Sequence, residues 1–359
     1  MRNGVSSPAW KPGHSILFLS RRDVAESITM TEAIEAAAAA YGSVSGGTAQ
    51  VPVRTPIRVD AHGGVSLFMP GYVPASAGGA TGLRGASGGL GMKMASVFPG
   101  NTSKGLPTIL AAVLLVDPET GAPACLMEGA YLTALRTGAA AAVAALYMSR
   151  PESSVVAVFG AGGQARMQIL GLLDVRRIVE IRIFDPARDR AEALAAEISQ
   201  VAAVGRVAPG FKCVVAPGAR EAVDGADIVV TATTSSKPVF RAEWLKPGAH
   251  INGIGSFRPD MQEVGEDTVV RAARVIVDSR EAALEEAGDV IIPLRKGLIT
   301  SDRIAGEIGD LVLGRLRGRQ SPDEITFAKM VGLSALDVSV GSAVFRRALE
   351  SGRGTVLPL

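Results

Sequence analysis

The densest chemical signal in the chain is Gly160-Ala161-Gly162-Gly163-Gln164-Ala165, a GxGxxA run that follows the apolar stretch 155–159 and opens a helical one at 164–173. In a strand-to-helix turn of this form the first glycine permits the sharp bend and the second lets the main chain approach a pyrophosphate. The small last residue lets the helix pack on the strand. Amides at the helix N-terminus then receive the phosphate charge. Gly160, Ala161, Gly162, Gly163 and Gln164 are therefore assigned to a dinucleotide. Asp185 ends the next apolar run, 25 residues after Gly160. A carboxylate there accepts hydrogen bonds from the adenosine ribose and repels a 2'-phosphate, so NAD is the expected cofactor. NADP is the alternative, with Arg188 or Arg190 serving the phosphate.

Three cations stand out by their neighbours: Arg54 in Val51-Pro52-Val53-Arg54-Thr55-Pro56, Lys93 inside the apolar stretch 91–97, and Arg136 in Leu132-Thr133-Ala134-Leu135-Arg136-Thr137-Gly138. A charge flanked by apolar residues must find an anionic partner or water. Three of them in a chain with only 20% charged residues imply a carboxylate-binding pocket, since arginine forks match carboxylates bidentately. Two other matches carry less. Gly85-Ala86-Ser87-Gly88-Gly89 fits GxSxG but lacks the strand before and the helix after that a nucleophile elbow needs. Asn101-Thr102-Ser103 is a glycosylation sequon without an export signal, because the N-terminal apolar run 16–19 is too short for one.

Composition removes several classes. Apolar residues make up 47% of the chain, which excludes disorder for most of it. Lysine plus arginine at 37 against aspartate plus glutamate at 35 leaves +2, no footprint for a nucleic acid. The two cysteines, Cys125 and Cys213, and three histidines, His14, His62 and His250, are far apart, so neither a zinc site nor a disulfide scaffold is expected. The longest apolar stretches, 109–116 and 139–148, fall short of the roughly 18 residues of a membrane span. A cytoplasmic protein without membrane partners is expected.

These residues need elements to hold them. At 359 residues the chain allows about two domains. Apolar runs at 155–159, 181–184, 213–216, 228–232, 250–254 and 275–278, spaced by helical stretches such as 164–173 and 188–198, predict an α/β, Rossmann-type doubly wound parallel sheet. Ligands of such sheets sit at the carboxyl ends of the strands, which assigns Asn252, Gly255 and Ser256 to the nicotinamide side and Thr233 to the cofactor with them. Elsewhere a helical run at 24–41 and strands at 51–59, 65–70, 92–97 and 111–116 predict a helix with a largely antiparallel sheet. A glycine-dense loop is expected at 78–91, a loop at 319–323 and a helix at 324–349. The organisation expected is a Rossmann domain, 136–319, between two parts, 1–135 and 320–359, of a split α+β substrate-binding and dimerisation domain.

Larger stretches then resemble the ornithine cyclodeaminase and mu-crystallin family over nearly the whole chain. They are Phe68-Met69-Pro70, Gly91-Met92-Lys93, Phe98-Pro99-Gly100-Asn101, Leu135-Arg136-Thr137-Gly138-Ala139, Lys246-Pro247-Gly248-Ala249-His250-Ile251-Asn252, Val277-Asp278-Ser279-Arg280-Glu281-Ala282-Ala283 and Phe327-Ala328-Lys329-Met330-Val331-Gly332. The resemblance implies homodimers, a nicotinamide cofactor, and a substrate carboxylate held by Arg54, Arg136 and Lys93, with Lys93 and Arg136 as catalytic residues and Met69 beside them. The departures are informative. Where cyclodeaminases of the family carry a glutamate and an aspartate that serve the substrate's side-chain amine, this sequence has Leu67 and Phe257. An ammonium buried there unpaired would cost several kcal/mol. The expected function is therefore NAD(P)H-dependent reduction of a small cyclic ketimine carboxylate, 1-pyrroline-2-carboxylate or 1-piperideine-2-carboxylate, to proline or pipecolate. An amino-acid dehydrogenase, a cyclodeaminase and a non-catalytic NADP-binding protein are the alternatives.

Overall fold

The computed structural model describes residues 10–75, 88–204 and 207–359. The chain divides into two units, Met1–Arg136 with Leu333–Leu359, and Thr137–Gly332. In the first, among the described residues, β1 (Ser15–Leu19), β2 (Thr55–Val59), β3 (Gly64–Val73), β4 (Gly89–Val97), β5 (Ile109–Val116), β6 (Pro123–Glu128) and β15 (Thr355–Pro358) form one sheet in the order β15-β1-β6-β5-β4-β3-β2. Its pairs are antiparallel except β1 with β6. Strand alternation gives the sheet two characters. Leu17, Leu19, Cys125, Met127 and Lys93 are buried, while their neighbours Phe18, Leu126 and Met94 are exposed.

The buried face lies against the helix Ser334–Ser351, which packs along α2 (Met30–Ser45). Two glycines set the approach. A Cβ on Gly71 would lie 2.8 Å from Ser334 Oγ, and one on Gly89 would lie 2.6 Å from the Val338 carbonyl oxygen. Sheet and helix backbones therefore come close over the first turns of that helix. The single helix expected at 24–41 is two, α1 (Arg21–Ser27) and α2. Ile28 is extended between them, because Thr29 accepts the Glu32 amide and starts a new helix with a capping box. The glycine-dense loop expected at 78–91 ends earlier than that, since Gly89, Leu90 and Gly91 are in β4; Gly85, Ala86 and Ser87 of the GxSxG match lie outside the described residues.

The second unit is a parallel sheet of β7 (Val155–Phe159), β8 (Glu180–Phe184), β9 (Lys212–Val215), β10 (Ile228–Thr231), β11 (His250–Gly253), β12 (Arg274–Val277), β13 (Ile304–Glu307) and β14 (Thr326–Lys329). Their order is β13-β12-β14-β11-β10-β7-β8-β9, so the chain winds outward from β7 through β8 to β9 and, on the other side, from β10 through β11 to β12 and β13, with β14 returning between β11 and β12. The β7/β10 pair is the topological switch point, where doubly wound sheets bind their ligands. The helices α4 (Ala165–Val175) and α5 (Arg188–Val204) follow β7 and β8.

β14 corrects the expected boundary. The segment 320–332, assigned above to the return into the substrate domain, belongs to the second unit, because Thr326 to Lys329 pair with β11 and β12 in mid-sheet. No helix begins at 324; it starts at Ser334. The four-residue strand carries a lysine and abuts an apolar helix, which hid its period. The first boundary falls at Arg136/Thr137, one residue beyond the expected one, inside α3 (Gly129–Met148). That helix is long and apolar enough to cross a membrane, yet 78% of its most apolar window is buried within the protein.

The close approach at Gly89 predicts a measurable cost. Gly89→Ala should lower the urea unfolding free energy by about 1–3 kcal/mol, the range for overpacking a tight contact. A variant with wild-type stability would show that the helix has room to move.

Candidate active site

Lys93 stands in β4 opposite Met69 of β3 and Val113 of β5, on the sheet face covered by the helix Ser334–Ser351. Lys93 is 2% exposed and Arg136 5%. Both point at one carboxylate, that of Asp337, which is fully buried in the first turn of that helix. Lys93 Nζ lies 2.8 Å from Asp337 Oδ2, and Arg136 Nε lies 3.0 Å from Oδ1. Arg54 is half-buried just before β2 and close enough to repel the charge on Lys93. The structure thus brings together the three cations singled out in the sequence. Met69, buried, and Leu67, half-buried, share the Lys93 face of the sheet.

The electrostatics follow from the count. Two buried cations, Lys93 and Arg136, share the one carboxylate of Asp337, so the pair carries excess positive charge in a place that water reaches poorly. Burial, and then the charge of Arg136, push Lys93 down to about 8, against the pull of Asp337. Arg136 meets Asp337 through Nε, so that bond uses one of the five donors of its fork. A planar carboxylate suits that fork in charge and in shape.

The second unit holds the glycine-rich turn. Gly160 has φ +93°, and a Cβ there would lie 2.6 Å from the Ala232 carbonyl oxygen, so the turn sits against the end of β10. Gly162 and Gly163 have open space where a Cβ would stand, and Ala165 is fully buried at the start of α4. No side chain caps α4; its Ala165 amide donates to the Gly162 carbonyl and its Met167 amide to the Gln164 carbonyl. Asp185 Oδ2 accepts from the Ala161 amide and Oδ1 from the Ala187 amide, each at 2.8 Å. Each oxygen keeps lone-pair capacity for a ribose hydroxyl. Arg188 is exposed and turned to Glu192 at 2.8 Å. These residues fit a dinucleotide with a free ribose.

Four further assignments are sorted by the structure. The Thr233 and Gly255 amides, at the ends of β10 and β11, each donate to a Glu263 oxygen at 2.5 Å. Asn252 does not face a cofactor. It is fully buried in mid-sheet, its Oδ1 2.9 Å from His250 Nε2 and its amide donating to Ala141 O at 3.2 Å. Position near a strand end was a poor guide there, because β11 runs only to Gly253 and Asn252 lies inside its pairing. The Ser256 side chain is also buried, its hydroxyl donating to Met261 O. His250 is held neutral by the same burial, which pushes it down to about 3. Phe257 is 37% exposed in the loop beyond β11, and Asp260 in that loop is exposed and paired with Arg258.

Sequence reasoning missed Asp337 and Glu263. Asp337 is a lone acid inside an apolar run, the same signal that found Lys93 and Arg136, whereas Glu263 stands among Asp260, Glu266 and Asp267 and carries no such signal. Among the described residues no group of three or more His, Cys, Asp or Glu side chains gathers to hold a metal ion.

A doubly wound dinucleotide fold and a separate unit with a buried cation–carboxylate cluster define a two-domain nicotinamide-type chain. It belongs to the ornithine cyclodeaminase/mu-crystallin family, whose model matches residues 15–352. A Delta(1)-pyrroline-2-carboxylate reductase of Bacillus cereus is 36% identical over 339 residues, 94% of this chain and 98% of that protein. The solved structure of the Thermococcus litoralis enzyme of that name, in complex with NADH and L-proline, is 39% identical. It superposes with a TM-score of 0.86 over 95% of this chain and 99% of its own. An archaeal alanine dehydrogenase dimer with bound NAD is 33% identical, with a TM-score of 0.84 over 96% of this chain and 99% of its own.

Removing the shared counter-ion tests the cluster. Asp337→Asn leaves two buried cations without their carboxylate and should cost about 3–5 kcal/mol in urea unfolding at neutral pH. A loss below about 1 kcal/mol would mean that the cations are solvated and the cluster is not closed.

Proposed function

We propose that the chain is an NADH-dependent reductase of small cyclic ketimine carboxylates, taking 1-pyrroline-2-carboxylate or 1-piperideine-2-carboxylate to proline or pipecolate. The observation that carries this reading is the pair of buried cations, Lys93 and Arg136, that share one carboxylate, with Arg54 close by. The kinship with enzymes named for pyrroline carboxylate reduction supports it.

The second unit holds the cofactor by the turn Gly160-Ala161-Gly162-Gly163-Gln164, with Asp185 reading the free ribose and Thr233 and Gly255 at the nicotinamide end. When bound, the reduced nicotinamide supplies the hydride. Arg136 and Arg54 bind the substrate carboxylate, which fixes the ring and its C2 carbon. Lys93, at about 8, keeps an exchangeable proton near neutral pH and can hold the imine nitrogen charged, the state that accepts hydride. Leu67 and Phe257 offer no carboxylate to a terminal ammonium, which disfavours ornithine and lysine. We place the enzyme in the cytoplasm, a reading supported by its two free cysteines.

The active form we propose is a homodimer. The outer face of the first sheet exposes Phe18, Leu126, Met94, Ile57 and Leu110, an apolar surface of the kind that marks an interface, and the archaeal alanine dehydrogenase neighbour is a dimer. That neighbour also favours a second reading, reductive amination of a keto acid.

The substrates separate these readings. Cyclic imine carboxylates should drive NADH oxidation, pyruvate plus ammonia should do so far more slowly, and ornithine or lysine with NAD should release little ammonia. Rapid ammonia release from ornithine without imine reduction would overturn the ketimine reading. NADH should outperform NADPH in kcat/KM, and a tenfold preference for NADPH would give the phosphate to Arg188 or Arg190.

Lys93 predicts the pH profile. Its ammonium is the form required, so kcat/KM should fall as pH rises through about 8. Lys93→Met should lose about 100-fold or more in kcat, and Arg136→Ala about 30-fold or more in kcat/KM, with NADH affinity little changed in both. A flat profile to pH 10 in the wild type would remove Lys93 as proton donor.

A further inference from the structure

Glu263 is fully buried beyond β11, and the chemistry described so far makes no use of its charge. Its carboxylate gathers donors from two strand ends. Oε1 accepts the Thr233 amide at 2.5 Å, beyond β10. Oε2 accepts the Gly255 amide at 2.5 Å and the Ser256 amide at 3.1 Å, beyond β11, as well as the Thr231 hydroxyl at 3.2 Å. The loops it joins are in direct contact, since a Cβ on Gly255 would lie 2.0 Å from the Thr233 carbonyl oxygen. Gly160 in turn lies against Ala232 and Thr233 across the switch point. Asp185 marks the adenosine half of the crevice, so β10 and β11 carry the nicotinamide half.

The post that holds these loops is itself held. Asp289 Oδ1 accepts the Glu263 amide at 2.7 Å and the Val264 amide at 3.0 Å, while Oδ2 pairs with the fully buried Lys329 at 3.0 Å. The Asp289 amide donates to Ser256 Oγ at 3.2 Å, which ties the end of the β11 loop to the same residue. We propose that Glu263 is the positioning residue of the nicotinamide site: one buried carboxylate sets the spacing of the two main-chain loops against which the ring seats. This rests on the cofactor reading above. Both oxygens of the carboxyl accept from main-chain amides. A glutamine would turn an NH2 group toward an amide donor and push one loop away.

The test compares NADH with ADP-ribose, which keeps the adenosine half and lacks the nicotinamide, by calorimetry on the full-length protein and its Glu263→Gln variant. NADH affinity should fall about tenfold or more, with ADP-ribose changed less than about twofold, and kcat for imine reduction should fall with it. Equal losses for both ligands, or no loss for either, would overturn the proposal. If Glu263→Gln fails to fold, Thr231→Val, which removes a single donor at nearly constant volume, decides: NADH alone should weaken by about threefold, and an unchanged or equal effect on both ligands overturns it. A wild-type protein that binds neither NADH nor ADP-ribose would sink the cofactor reading itself. A wild type that binds NADH, with variants indistinguishable from it, would sink only the positioning role.

Discussion

One carboxylate divided between two buried cations governs the first unit. Asp337 gives an oxygen to Lys93 and another to Arg136, and neither cation has ready access to water. A lysine buried inside a sheet is tolerated only with a partner so placed. The partner can be so placed because Gly71 and Gly89 let the helix Ser334–Ser351 come down onto β3 and β4. The split of this unit into two sequence parts follows the same need. Strand β4 supplies the lysine from the first part, and the helix that answers it returns only after the whole second unit has been made. The pair therefore ties chain ends more than two hundred residues apart, as Arg136 and Asp337 are 201 apart in sequence.

The second unit uses buried carboxylates in the opposite sense. Glu263, Asp278 and Asp289 are fully buried, and main-chain amides converge on each of them. Their charge is spent on fixing loops, whereas Asp337 leaves its cluster short of negative charge. Two physical arrangements follow from one residue type: an acid ringed by amides fixes loops, and an acid shared by two cations leaves net positive charge beside it.

Much of this was legible in the sequence, for reasons that differ by element. The glycine-rich turn was readable because each residue of it answers a steric demand, and Gly160 meets that demand with a positive φ against Ala232. Lys93 and Arg136 were readable as charges in apolar surroundings. Their meeting at Asp337 was not, because sequence order says nothing about which distant helix covers a sheet. β14 was hidden for a related reason: Lys329 reads as a surface residue until Asp289 is placed beside it. Asn252 misled because nearness to a strand end was taken for exposure, whereas its amide locks α3 to the sheet through Ala141.

On the function proposed above, the lysine at position 93 would connect substrate binding to proton supply. Arginine there would bind a carboxylate as well but would hold its proton at every accessible pH. A lysine pressed down to about 8 by burial and by Arg136 stands near its point of half-protonation in mildly alkaline solution. An anion brought beside it shifts the balance back toward the ammonium, because an added negative charge favours the charged form. Binding and protonation would then be linked and reciprocal: a carboxylate docking on Arg136 would secure the proton on Lys93, and the protonated lysine would strengthen the docking. On that reading the site would be charged for proton donation when a substrate carboxylate is present and would relax toward neutrality when it leaves.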